Sequence, residues 1–139
     1  MPMKKTNAAR TLDRLKIPYE IVEYDVDEND LSALHVAEVL GQDVKCVFKT
    51  LVAVDENNKP IVACIAGDAE LNLKALAKAA GCKKCVMIPV KDILKITGYI
   101  RGGCSPLGMK KMYPTFIDES AFRYEQLYVS AGVRGKQLY

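Results

Sequence analysis

Cys46 to Val54 reads CVFKTLVAV, and only Lys49 and Thr50 interrupt nine otherwise apolar residues. As a strand it places Val47, Lys49, Leu51 and Ala53 on one face and Cys46, Phe48, Thr50, Val52 and Val54 on the other. Both faces are apolar, which marks a central strand. An ammonium there is costly unless it is paired or reaches a polar cavity. Two readings stay open. Lys49 snorkels to a sheet edge or pairs with a carboxylate, or it sits on a rigid element to place an anionic or ester group.

Two glycine-bearing stretches have a chemistry of their own. GYIRGGCSPLG (Gly98 to Gly108) has adjacent glycines, which let main-chain N–H groups approach a ligand closely. It matches neither GxxxxGK[ST] nor GxGxxG, and on its own it reads first as a structural turn. VSAGVRG (Val129 to Gly135) is small and polar and follows a strand; alone it reads as a hairpin turn.

Other reactive residue types point away from familiar chemistries. CKKC (Cys82 to Cys85) has no second knuckle to complete a zinc site. It follows a helix stop and enters a strand, the wrong context for a thioredoxin-type motif. His35, the sole histidine, falls opposite Ala33, Val36 and Ala37 on a solvated helix face. That leaves no Ser–His or Cys–His pair for nucleophilic catalysis. Lys83-Lys84 and Lys110-Lys111 are short basic pairs that solvated faces explain, although phosphate contact is open to them.

The elements that must position these residues are read from caps and periodicity. Thr6 caps a first helix carrying Ala8, Leu12 and Leu15 on one face, and Pro18 ends it. Tyr19–Asp25 alternates as a strand, with Tyr19, Ile21 and Glu23 opposite Glu20, Val22 and Tyr24. Ser32 caps a second helix with Ala33, Val36, Ala37 and Leu40 inward and Gly41 as its stop. The strand from Val44 to Val54, the turn DENNK and PIVACIAG form a hairpin. A third helix runs from about Asn72 to Ala80. CVMIP is a short strand, VKDILKITG a short helix, and TFIDES and QLYVSAG are strands. The fold class is α+β: a single domain with a mixed, mostly antiparallel sheet and surrounding helices.

Composition sets bounds on function. The 139 residues suit one domain with a core of its own. No apolar run approaches the roughly 20 residues of a membrane span. MPMKKTNAAR has basic residues without an apolar stretch behind them, so it is not a secretory signal. The net charge of +3 permits a polyanionic partner. Five cysteines, an odd number with Cys46 and Cys64 in apolar runs, suit reduced thiols in the cytoplasm.

Taken in order, FKTL (Phe48–Leu51), GYIRGGCSPLG and VSAG followed by RG resemble the YbaK/EbsC family. Its members are free-standing relatives of the editing domain inserted in bacterial prolyl-tRNA synthetases. IPYEIVEYD and LNLKALAKAAG support the match, which runs nearly the full chain. The resemblance implies the family's fold and a trans-editing aminoacyl-tRNA deacylase, most similar to those that hydrolyse Cys-tRNA(Pro). It implies contact with the tRNA(Pro) acceptor end and with prolyl-tRNA synthetase; no cofactor, no metal and no membrane are expected. Lys49 falls on the family's essential lysine, and Gly102 and Gly103 on the loop that holds the scissile ester. Tyr24 and Ser130 fall on pocket positions. Thr50, Cys104, Ser105 and Gly132, within the same motifs, complete the substrate-contacting candidates.

In the family mechanism the substrate's own thiol attacks the ester carbonyl, which suits a chain without a nucleophile–base pair. Lys49 would then anchor the terminal adenosine, and N–H groups near Gly102 and Gly103 would meet the carbonyl oxygen. Two features depart from the family. Cys104 stands where an aliphatic residue is usual, and residues 1–139 lack the family's C-terminal helix. An Ala-tRNA(Pro) deacylase and a non-catalytic aminoacyl-tRNA or nucleotide-binding module are the alternatives.

Overall fold

A computed structural model describes residues 6–139; the basic Lys4 and Lys5 lie outside that span. Each main helix begins where a side chain accepts an otherwise unpaired amide. The Thr6 hydroxyl takes the Ala9 N–H and opens α1 (Asn7–Arg14). Ser32 takes the His35 N–H and opens α2 (Ala33–Leu40). Asn72 takes the Ala75 N–H and opens α3 (Leu73–Ala80). A short α4 (Ile93–Thr97) ends at Gly98. Gly41 and Gly81 close α2 and α3 at φ of 67° and 74°, left-handed values that favour glycine.

The strands are β1 (Ile21–Glu23), β2 (Phe48–Asp55), β3 (Pro60–Ala66), β4 (Cys85–Met87), β5 (Thr115–Ile117), β6 (Val129–Ser130) and β7 (Lys136–Leu138). The α+β class stands as the sequence implied, but the strands form two sheets. One has the order β1-β7-β6, the other β4-β2-β3-β5. All pairings are antiparallel except β3 with β5. A parallel bridge between Val47 and Tyr128 joins the sheets.

Local polar contacts shorten several expected strands. The Asp43 carboxylate accepts the Lys45 N–H and winds Val44–Cys46 into a 3-10 turn, so the strand expected from Val44 begins at Phe48. Asp118 does the same to TFIDES, accepting from Ser120 N–H and turning the chain after Ile117. QLYVSAG keeps only Val129–Ser130 as strand.

Side-chain alternation distributes the core. Tyr19 and Ile21 pack with Ala8, Ala9 and Leu12 of α1 and with Leu138. Val22 and Tyr24, one residue out of phase, meet Val36 and Ala37 of α2 with Val47 and Tyr128. Ala53, Ile61 and Ala63 bury against Leu76 and Ala77 of α3, while Val52 and Val62 face Ile88, Ile93 and Ile96. Burial of each large aliphatic side chain contributes about 1.5–3 kcal/mol.

The two edges of β2 are covered unequally. Phe48–Val54 pair with β3, but β4 covers only Ala53–Asp55. Even-numbered residues turn their main-chain groups away from β3. Val52 O accepts from Ile88 N–H at 3.1 Å, and Phe48 N–H donates to Tyr128 O at 2.9 Å. Thr50 lies between them, beyond the stretch paired by β4, and among the described residues none outside the strands bonds to its outward N–H or C=O. β4 has left the sheet by that point.

Candidate active site

A cavity of about 310 Å³ lies over the opening at Thr50. Lys49 to Val52 form its floor, Leu31 to Ala33 and Val36 one wall, and Met87, Ile88, Val90 and Ile93 another. Arg101, Gly102 and Cys104 come in from the glycine loop, and Ser130 and Gln137 from β6 and β7. Lys49 and Arg101 are the charged residues of the lining, and no carboxylate belongs to it. A larger cavity of about 480 Å³ beside α3 mixes Asp68, Glu70 and Asp118 with Lys45 and Arg123 and holds none of the candidate site residues.

Lys49 reaches the first cavity as a partly buried side chain, its Nζ donating to the carbonyl oxygen of Gly67 at 3.3 Å. Among the described residues no carboxylate lies within 4.0 Å of that ammonium. Gly67 allows the contact by its size. A Cβ there would lie 2.7 Å from Ala33 Cβ and 2.8 Å from Val47 O, so α2 can close onto the end of β3. Neither open reading of Lys49 included a main-chain carbonyl as its anchor.

The glycine loop is fixed from several sides. The Tyr99 hydroxyl donates to Leu107 O at 2.7 Å, with Gly108 O 3.1 Å away, closing the loop on itself. Burial pushes the Tyr99 phenol up to about 12, so it remains a donor at neutral pH. Ser105 is fully buried, and its hydroxyl accepts from Leu107 N–H at 3.3 Å; it supports the turn and does not line the cavity. Gly102 adopts φ of +81° with Leu31 against it.

The two loop glycines differ in what they offer. Gly103 N–H is committed to Ile100 O at 2.9 Å, whereas among the described residues Gly102 N–H has no acceptor. Of the pair expected to meet a carbonyl oxygen, Gly102 alone has a free amide. Gly103 serves close packing instead, because a Cβ there would lie 3.1–3.2 Å from the Val133 and Arg134 main chain.

The other candidates divide in the same way. Thr50, Cys104 and Ser130 line the cavity with Lys49. Ser130 Oγ accepts from Gly132 N–H at 3.2 Å. Gly132, at φ +100°, lies under the Tyr99 ring, where a Cβ would come within 2.7 Å of Cε1, and it stays outside the lining. Tyr24 packs against Val47 and Tyr128 and donates its N–H to Gly135 O at 2.9 Å, also outside the lining. Burial pushes the Cys104 thiol up, and the neighbouring Thr97 hydroxyl pulls it the other way.

Elsewhere the structure explains the distractors. The Lys83 and Lys84 N–H groups donate to the Glu56 carboxylate at 3.0–3.4 Å, so CKKC is a corner folded around an acid. Cys82 Sγ donates to Ala77 O and Cys85 Sγ to Leu73 O. His35 is less solvated than its helix face suggested: its side chain is 23% exposed, with Nδ1 3.9 Å from Asp30. Sequence reasoning missed Gly67, Arg101, Arg134, Gln137 and the wall from Leu31 to Val36. The glycine directly after an apolar strand was the one available signal among them.

Comparison with known proteins decides which family the chain belongs to. The model of the aminoacyl-tRNA editing domain matches residues 28–139. The chain belongs to the aminoacyl-tRNA editing domain family. It is 51% identical over 135 residues to EbsC of Enterococcus faecalis, named as a proposed Cys-tRNA(Pro)/Cys-tRNA(Cys) deacylase, covering 97% of this chain and 82% of that one. A proline–tRNA ligase of Thermodesulfovibrio yellowstonii is 34% identical over 57% of the chain, which corresponds to 14% of the ligase.

Solved structures share the fold at low identity. A hypothetical protein aligns with TM-score 0.86 at 18% identity, over 96% of this chain and 87% of that one. One described as a proposed trans-editing enzyme for prolyl-tRNA synthetase aligns with TM-score 0.80 at 20% identity, over 95% and 82%. As an editing domain the chain is a hydrolase acting on the ester that joins an amino acid to tRNA. Among the described residues no helix is long and apolar enough to cross a membrane.

Proposed function

We propose that this editing domain hydrolyses cysteine mischarged onto tRNA(Pro), acting in trans beside prolyl-tRNA synthetase, and that the substrate's own thiol is the nucleophile. The observation that carries the reading is the joining of Lys49 and the free Gly102 amide in one carboxylate-free cavity over the break in β2. A cavity with cations and unpaired main-chain donors suits an ester next to a phosphodiester. Similarity to the Enterococcus faecalis protein supports cysteine as the amino acid.

Each group has a part. Lys49, held by Gly67 O, keeps N–H donors for the oxygens of the terminal adenosine. Gly102 N–H donates to the ester carbonyl oxygen as it gains negative charge. The Thr50 N–H and C=O fix the aminoacyl group against the open edge. The cysteinyl sulfur then attacks the carbonyl carbon. A C–S bond forms, the C–O bond to the ribose breaks, and the ribose oxygen takes up the proton the thiol gives away. The cyclic thioester released is opened by water.

Single-turnover deacylation of Cys-, Ala- and Pro-charged tRNA(Pro) tests the assignment. Cleavage of Cys-tRNA(Pro) well above the other two is expected. Preference for Ala-tRNA(Pro) would move the chain to the alanine-editing alternative. Binding of all three without cleavage would make it a non-catalytic module.

A further inference from the structure

The rim of the cavity brings together two arginines that are 33 positions apart. Arg134 Nε donates to the main-chain oxygen of Arg101 at 2.8 Å, and Arg101 lines the cavity. Beneath this contact Gly103 lets the two loops touch main chain to main chain, since a Cβ there would lie 3.2 Å from the Arg134 nitrogen. Among the described residues no carboxylate lies within 4.0 Å of either guanidinium. Tethering through Nε leaves both Nη groups of Arg134 as donors, and among the described residues no acceptor takes any of the five N–H bonds of Arg101. Two cations carried on touching loops, with no acid beside either, favour an anion at the mouth of the cavity.

We infer that Arg101 and Arg134 form a phosphate grip at the cavity mouth, built to hold the phosphodiester on the 5′ side of the terminal nucleotide of an RNA 3′ end. The inference rests on the proposed function for which nucleotide enters the cavity. Its chemistry rests on the two guanidiniums alone. Lys49 inside and the grip outside then meet neighbouring parts of one strand. Planar guanidinium matches a phosphate with paired N–H donors, which a lysine cannot do.

Binding of uncharged tRNA across a salt series tests the grip apart from catalysis. Arg101→Gln and Arg134→Gln are each expected to weaken binding about tenfold at low salt. Each should lower the slope of log K against log salt by about 0.7, the value of one single-strand phosphate contact. Arg134→Lys is expected to stay weak, because lysine has no Nε to tether to Arg101 O, while Arg101→Lys keeps the salt slope and recovers only part of the affinity, because an ammonium retains the charge and loses the paired donors. A second arm compares Cys-tRNA with cysteinyl-adenosine, which has no phosphate. The loss in kcat/KM is expected to be at least tenfold larger on the tRNA. Unchanged salt slopes, or Arg134→Lys binding like the unaltered protein, would overturn the grip. Cleavage of neither ester by the unaltered protein would overturn the deacylase reading while the binding arm still decides the grip.

Discussion

Lys49 and Gly67 are joined across the end of the β2–β3 hairpin, Nζ to carbonyl oxygen at 3.3 Å, and Gly67 has α2 directly above it. The ammonium is held by a neutral carbonyl, not by an acid. Its charge therefore stays available to the cavity, and its position depends on how closely α2 can approach.

Lys49→Ala is expected to lower single-turnover deacylation by on the order of 10²–10³-fold, the range for removing one preorganised donor. The fold should persist, because no ion pair is broken. Circular dichroism and a thermal melt check the second half. A protein that unfolds on this change would show the lysine to be structural.

At Gly67, even alanine is too large. Its Cβ would meet Ala33, Val44 and Val47 at 2.7–2.8 Å, and overpacking of that kind costs about 1–3 kcal/mol. Gly67→Ala is expected to lower Tm and to cut activity beyond what the lost stability explains, since the Lys49 anchor moves with it. Kinetics well below the new Tm, where the variant is fully folded, check this.

Cys64 connects stability to alkaline pH. It is buried beside Thr50, and burial raises its thiol from 9.0 to about 11. The folded state thus favours the protonated form. That contribution is complete below pH 9, falls as pH rises toward 11 while only the unfolded chain ionises, and amounts to on the order of 2–3 kcal/mol. The unaltered protein is expected to lose more Tm between pH 9 and 11 than Cys64→Ala does. Parallel melting curves for the two would contradict it.

Substrate chemistry gives the sharpest check on the mechanism. A thiol with pKa ~8.5 is a few per cent thiolate at neutral pH, and a hydroxyl is almost none. Cys-tRNA should be cleaved far faster than Ser-tRNA at saturating enzyme, with a rate that climbs toward pH 8.5. Equal rates would mean that water or a protein group attacks.

Replacement of each of the protein's own five cysteines should leave the chemistry in place. Cys104 alone lines the cavity. Cys104→Val is expected to shift the ratio of Cys- to Ala-tRNA cleavage through packing, with little change in Tm. A loss of all cleavage would give that thiol a chemical part.

What could be read from the sequence depends on the range of the forces involved. Thr6, Ser32, Asn72, Gly41 and Gly81 act within one turn of themselves, so three helices are legible from local chemistry. Lys49 stood out because it contradicts its own strand. The break at Thr50 did not, because it arises where β4 diverges and Tyr128 arrives from far along the chain. Arg134 is equally silent, one arginine in a small turn until Arg101 meets it. Gly102 and Gly103 look alike in sequence, and only the commitment of one amide to Ile100 separates them.

An open strand edge ordinarily invites another polypeptide to add itself. The uncovered edge at Thr50 is short, bounded on one side by the Ile88–Val52 hydrogen bond and on the other by Phe48–Tyr128. A docking strand needs several residues in register to gain from pairing, and no such run is on offer. The protein can therefore leave main-chain hydrogen-bonding capacity uncovered for a small molecule without becoming a template for aggregation.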